Sequence, residues 1–242
     1  MSGGKLEVPE GLLPWDTVKE VARVIDPDKW ILVGGLMVRI HVMLAHRMPR
    51  ISKDVDVLVD LAATQVTVPS VVSALESLGF EVHEPGLREA PFHRMVRGEC
   101  IVDILVADHV PPSRQARSRL GRWSTMEIPG GTQAIERREK ITIEMGPDSF
   151  DIYVPNLLGA LVLKCAAYAA DNRNKQRHLD DVAMLLSLIP DAGEARARLK
   201  GSDGKRIRGI RKALDDLNNP AWLQLSSEER LTGQRALRIL AG

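Results

Sequence analysis

Apolar positions along the chain recur at two different periods, and the change from one to the other divides it. Trp15, Val18, Val21, Ala22 and Ile25 return at three- and four-residue steps behind Pro14, a residue that a first helical turn tolerates. A helix is predicted there, closed by Asp26-Pro27-Asp28. Trp30–Val33 is a continuous apolar run of strand length, and after Gly34-Gly35 a helical pattern runs from Leu36 to about His46, where Pro49 stops it. Residues 55–61 read as the next strand. Residues 68–78 read as a helix with Pro69 near its start and Gly79 as its C-terminal stop. A brief strand is expected at 80–83, and residues 99–107, ECIVDILVA, form a strong one, apolar on both faces except at Asp103. Two further strands, 140–145 and 150–154, predict a hairpin turning on Gly146-Pro147-Asp148. Past Pro155 the strand patterns cease. Helices are predicted at Leu157–Ala170, 179–189, 192–200, 205–217 and 228–240, the last opened by a capping box of Ser226 and Glu229. Residues 1–11 read as a loose leader.

That order predicts the α+β class: a mixed-sheet core with flanking helices over residues 1–154, and a C-terminal helical domain over 155–242. With 242 residues, 44% hydrophobic and 27% charged, the chain is long enough for a full core and too apolar for disorder. Lys+Arg 33 against Asp+Glu 32 leaves a net charge of +1, so a nucleic-acid surface has to come from local clusters. Two are present: Arg114, Arg117, Arg119 and Arg122, and the run from Arg196 through Arg198, Lys200, Lys205, Arg206, Arg208 and Arg211 to Lys212. Solvated helix faces explain both equally well, because 4% aromatic residues offer few stacking platforms. Trp123 and Tyr168 are the aromatics placed nearest the chemistry described below. His41, His46, His83 and His93 show no ligand spacing and read as structural or exposed. Cys100 and Cys165 lie in apolar segments and read as buried thiols, which suits a reducing compartment. No secretory leader pattern is visible, and Arg39 and His41, or Lys164, interrupt the most apolar windows. A cytoplasmic protein with no membrane span is expected.

Candidate chemistry gathers between Trp30 and Asp60. Side chains two apart on a strand share a face, so Asp54 and Asp56 present their carboxylates together. Asp103 joins them if its strand is a neighbour. Like charges about 4 Å apart repel by about 4 kcal/mol at an effective dielectric of about 20, and a bound divalent cation offsets that. Oxygen-only donors with no His or Cys favour Mg²⁺ or Mn²⁺, with Asp54, Asp56 and Asp103 as ligands and Asp103 also the simplest proton acceptor. Gly34 and Gly35 let the backbone approach a ligand, and the helix behind them aims free N–H groups at it, an arrangement suited to a triphosphate. Arg50, Ser52 and Lys53 stand ready to add contacts to the same phosphates.

Gly34-Gly35, then Arg50-x-Ser52-x-Asp54-x-Asp56, then Asp103 on a later strand resemble the nucleotidyltransferase (DNA polymerase β-like) superfamily. The resemblance is closest to the AbiEii-type toxins of type IV toxin–antitoxin systems, and it covers most of residues 30–190, with none found in the last fifty. It implies a nucleotidyltransferase-type mixed sheet and transfer of an NMP from an NTP to an acceptor hydroxyl. It implies RNA as acceptor, with an aminoglycoside-like small molecule or a catalytically silent binding member as alternatives, and an antitoxin protein as partner. In the later motif, Lys164 corresponds to a lysine that contacts nucleotide phosphates, and Arg177-His178-Leu179-Asp180-Asp181 to a basic residue before a carboxylate, Asp181 or its neighbour Asp180. Two positions depart from the pattern: Gly35 stands where relatives carry a serine, and His178 where many carry an acidic residue.

Overall fold

The computed structural model describes residues 4–11, 13–87 and 90–242. In chain order, β1 (Gly4–Glu7), α1 (Trp15–Val24), β2 (Trp30–Val33) and α2 (Gly34–Leu44) lead to β3 (Val55–Val59), α3 (Val68–Glu76), β4 (Glu81–Val82), β5 (Arg94–Arg97) and β6 (Cys100–Ala107). A 3₁₀ segment, Pro112–Ser118, precedes β7 (Arg119–Leu120), β8 (Trp123–Ser124), β9 (Met126–Ile128), α4 (Gly131–Glu136), β10 (Arg138–Met145) and β11 (Asp148–Pro155). Thereafter the chain is helical: α5 (Leu157–Ala170), α6 (Lys175–Ser187), α7 (Ala192–Ala197), α8 (Asp203–Leu214), α9 (Pro220–Leu223) and α10 (Ser227–Ala241).

The larger sheet has the order β2-β3-β6-β5-β4, with β9 pairing the far half of β6. Its centre is mixed: β3 runs antiparallel to β2 and parallel to β6, and β6 is antiparallel to β5. Such a strand is covered on both sides, and β3 accordingly buries Val55, Val57, Leu58 and Val59. The hairpin β10–β11 forms a second sheet, its turn set by Gly146 at φ +55°. That sheet also takes in β1, parallel to β10 in the register Gly4↔Ile141. The expectation of a loose leader over residues 1–11 is therefore overturned for Gly4–Glu7, where Leu6 is buried and the backbone completes a ladder. Residues 1–3 lie outside the described residues.

Two helices position the site. α2 is buried along most of its length, and α5, with Leu158 to Ala166 all buried, runs through the middle of the apolar interior as a helix that is hydrophobic all round must. Buried side chains from Leu6 to Ala241 form one continuous cluster, and α5 and α6 both touch α2. The last strand ends at Pro155, where the period of the sequence changes. α6 starts at Lys175, earlier than the expected 179, because its first turn is polar and carries no apolar period. The Ser226–Glu229 capping box forms at α10 as expected.

Candidate active site

Register does most of the assembly on the sheet side. Val33 lies opposite Asp56, Asp56 opposite Asp103, and Asp103 opposite Arg94, so one row crosses four strands. Asp56 and Asp103 are cross-strand partners and share a face of the sheet, with Asp54 two residues before Asp56 on the same side. Gly34 closes the row. It adopts φ +69°, a conformation that favours glycine, and a Cβ there would overlap the Asp56 carboxylate. At Gly35 a Cβ would overlap the Ser52 hydroxyl and come within 3.4 Å of the Arg177 guanidinium. The space that a serine side chain would fill at position 35 is thus already occupied by the hydroxyl of Ser52.

These residues line a cavity of about 520 Å³ between the sheet and the helices α5 and α6. Gly34, Gly35, Asp54, Asp56 and Asp103 form one wall, while Lys164, Arg177 and His178 face them from the other. Leu105, Met126, Ile128, Leu163 and Ala167 supply an apolar end suited to the flat face of a base.

Charge is arranged unequally among the carboxylates. Asp56 is pushed up to about 6 by burial first, then by the charges of Asp103 and Asp54, with Lys164 and Arg177 acting against the rise. Asp103 is held by a two-pronged hydrogen bond, Arg94 donating from Nε to Oδ1 and from Nη2 to Oδ2, each at 2.8 Å. Opposite them, Lys164 Nζ lies 2.8 Å from Asp181 Oδ2, and Arg50 Nη2 donates to Asp181 Oδ1 at 2.8 Å. Lys164 and Asp181 are 5% and 3% exposed. Burial alone would raise the Asp181 carboxyl, but the two cations overturn that and hold it below the ordinary carboxylate value. His178 pairs with Asp171 at 3.0 Å, and its burial keeps the imidazole below its ordinary value.

Of the residues singled out in the sequence, Gly34, Gly35, Asp54, Asp56, Asp103 and Lys164 line the cavity. Arg50, Ser52 and Asp181 stand behind its wall: Arg50 and Asp181 brace Lys164, and the Ser52 hydroxyl is buried with no hydrogen-bond partner among the described residues. Lys53 is exposed and lies outside the lining. Sequence reasoning passed over Arg94 altogether, read His93 as structural or exposed although it lines the cavity, and met Arg177 only as the basic start of a motif. Trp123 and Tyr168 do not line it; they stack under Arg122 and Lys175 at 4.8 Å and 5.1 Å. Arg206, from the second basic cluster, is turned inward to Gln133 and Asp108, which removes it from that exposed run. Among the described residues no three His, Cys, Asp or Glu side chains are gathered closely enough to hold an ion, and no helix is long and apolar enough to cross a membrane.

A family model described as the nucleotidyl transferase AbiEii toxin of type IV toxin–antitoxin systems matches residues 18–235. The chain belongs to the AbiEii family. Nothing among curated proteins or solved structures matches it. The matched span takes in every residue of the cavity wall and reaches well into the last fifty residues, which corrects the narrower extent drawn from the motifs alone. The α+β architecture of this AbiEii chain is of the nucleotidyltransferase type, and nucleotidyl transfer is the activity of its family.

Proposed function

We propose that this AbiEii family member transfers an NMP from an NTP to an acceptor hydroxyl in the cavity between the sheet and α5–α6. The observation that carries the reading is the in-register row of Val33, Asp56 and Asp103, closed by Gly34 and facing Lys164 and Arg177 across one cavity. The acceptor oxygen forms a bond to the α-phosphorus while the bond from that phosphorus to the β-phosphate bridging oxygen breaks, and pyrophosphate leaves. N–H groups at the start of α2, together with Lys164 and Arg177, face the phosphates. Arg177 makes no hydrogen bond or ion pair among the described residues, so its guanidinium is uncommitted. The buried, unpartnered hydroxyl of Ser52 stands in for the serine missing at position 35 and steadies the same corner. Arg50 and Asp181 act from behind by holding Lys164.

The donor set suits Mg²⁺ or Mn²⁺ in being oxygen-only; the three carboxylates are not gathered closely enough to close round an ion by themselves, and Mg²⁺ needs only one or two of them beside phosphate oxygens. Asp54, Asp56 and Asp103 are the carboxylates that would hold the ion together with phosphate oxygens, and it would supply charge neutralisation at the phosphates and at the attacking and leaving oxygens. For the proton of the attacking hydroxyl, Asp56 is a better acceptor than Asp103, whose two oxygens are both engaged by Arg94. RNA as acceptor, an antitoxin as partner and a cytoplasmic setting rest on the family.

Incubation with each of the four labelled NTPs, Mg²⁺ and total RNA tests this reading. Labelled RNA is expected with the wild type and not with Asp56→Ala. Label in an aminoglycoside-like molecule instead would move the acceptor to small molecules. No product with any NTP, together with unchanged nucleotide affinity in Asp54→Ala, would sink the enzyme assignment.

A further inference from the structure

We propose that Arg94 is a positioning residue that makes divalent-cation binding at Asp103 depend on the triphosphate. The inference rests on the nucleotidyltransferase reading above. Arg94 stands directly opposite Asp103 in the antiparallel register of β5 and β6, so the pairing is built into the sheet rather than left to a flexible surface side chain. Its fork takes one hydrogen bond to each carboxylate oxygen, both at 2.8 Å. A cation approaching Asp103 therefore meets a carboxylate whose best lone pairs are engaged and a positive charge immediately beside it.

The balance of charge around the row points the same way. Asp54, Asp56 and Asp103 contribute three negative charges, and Arg94, Lys164 and Arg177 three positive ones, all on the wall of one cavity. Behind the wall Asp181, paired with Lys164, and Arg50 add one charge of each sign and leave that balance unchanged; Asp171 is engaged by His178 and by the N–H of Arg173, and Glu127 is exposed to solvent. A bare divalent cation thus enters a centre already close to neutral and gains little. A triphosphate brings the negative charge that Arg177 and Lys164 face, and the cation that accompanies it then has phosphate oxygens as well as carboxylates to bind. Cation and nucleotide enter as one charge-balanced unit, and Arg94 keeps Asp103 aimed until they arrive.

The experiment is a titration of the full chain with Mn²⁺, following free Mn²⁺ by electron paramagnetic resonance, with and without a non-hydrolysable NTP analogue. In the wild type the analogue should tighten Mn²⁺ binding by about ten-fold or more. Arg94→Gln should bind Mn²⁺ alone about ten-fold more tightly than the wild type and lose most of the coupling, although NMP transfer falls; a residue needed only for folding would not raise metal affinity. Arg94→Lys retains the charge but not the fork, so Mn²⁺ affinity should stay near wild type while transfer drops. Equal or weaker Mn²⁺ binding by Arg94→Gln overturns the proposal, as does a wild type indifferent to the analogue. Should Arg94→Gln not fold, transfer by Arg94→Lys at the wild-type rate overturns it instead. A wild type that binds no analogue at all removes the parent reading and this one together, whereas normal binding with variants indistinguishable from wild type removes this one alone.

Discussion

On the sheet side of the cavity, Asp54, Asp56 and Asp103 owe their grouping to strand register, whereas on the helical side Lys164 stands in place because Asp181 and Arg50 hold it from behind. The first arrangement costs the fold the dehydration of Asp56 and the repulsion among its carboxylates, both of which loss of one charge relieves. The second sets an ammonium and a carboxylate deep inside apolar packing, where each depends on the other to offset lost hydration. A change on the sheet wall should accordingly be read in activity, and a change on the helical wall in stability.

The sharpest test of that contrast is Asp56→Asn. Transfer should fall by about a hundred- to ten-thousand-fold, while the melting temperature stays level or rises because a buried charge beside two others has been removed. Labelling and a thermal melt on the same preparation check both halves. Asp181→Ala should do the reverse and cost about 3–5 kcal/mol of stability in urea unfolding, since it leaves Lys164 buried and unpaired. The double variant Lys164→Met/Asp181→Leu should recover much of that loss without recovering transfer. Between the walls, Gly35→Ser should cost about 1–3 kcal/mol because its side chain meets Ser52. Adding Ser52→Gly should restore stability and transfer, one hydroxyl replacing the other; a double variant no better than the single would end the view that Ser52 substitutes at this corner.

The smallest effect concerns His41 on α2, whose Nε2–H donates to the Pro155 carbonyl at 2.8 Å. Burial holds this imidazole below its ordinary value of 6.5 despite that hydrogen bond. In the unfolded chain it takes up a proton near 6.5 and in the folded protein it resists, so its contribution to stability is complete above that pH and declines below it. Asp56, raised to about 6, works in the opposite sense, and the informative quantity is the difference between wild type and His41→Asn. That difference should shrink as melts move from pH 8 to pH 5.

The sheet wall was legible because its signals are local: a glycine pair after an apolar strand, a Ser-x-Asp-x-Asp, and a carboxylate enclosed by Val102 and Ile104. Residues 94–97, Arg-Met-Val-Arg, are too short and too charged to announce a strand, so β5 went unseen and Arg94 with it. β1 was hidden for another reason, since Gly4–Glu7 is a strand only through its pairing with residues 141–144. On the helical wall, Lys164 in an apolar helix is ambiguous by pattern; only the resemblance gave it a role at the phosphates, and its ion pair with Asp181 is visible only in the structure. The structure adds what spacing does not carry, namely that Arg50 and Asp181 serve Lys164 rather than face the cavity.

The order in which the two walls occur along the chain has a consequence for the protein as it is made. All three carboxylates have been synthesised once residue 107 has been added, but Arg177 and Asp181 follow about 4 to 15 seconds later at ordinary elongation rates. Until Lys164 is added, a ribosome-bound chain carries the acidic half of the site with nothing from the helical wall opposite it. A chain cut short within α5 would retain Asp54, Asp56 and Asp103 yet lack Arg177 and Asp181, and such a truncated chain should show no NMP transfer in the labelling assay.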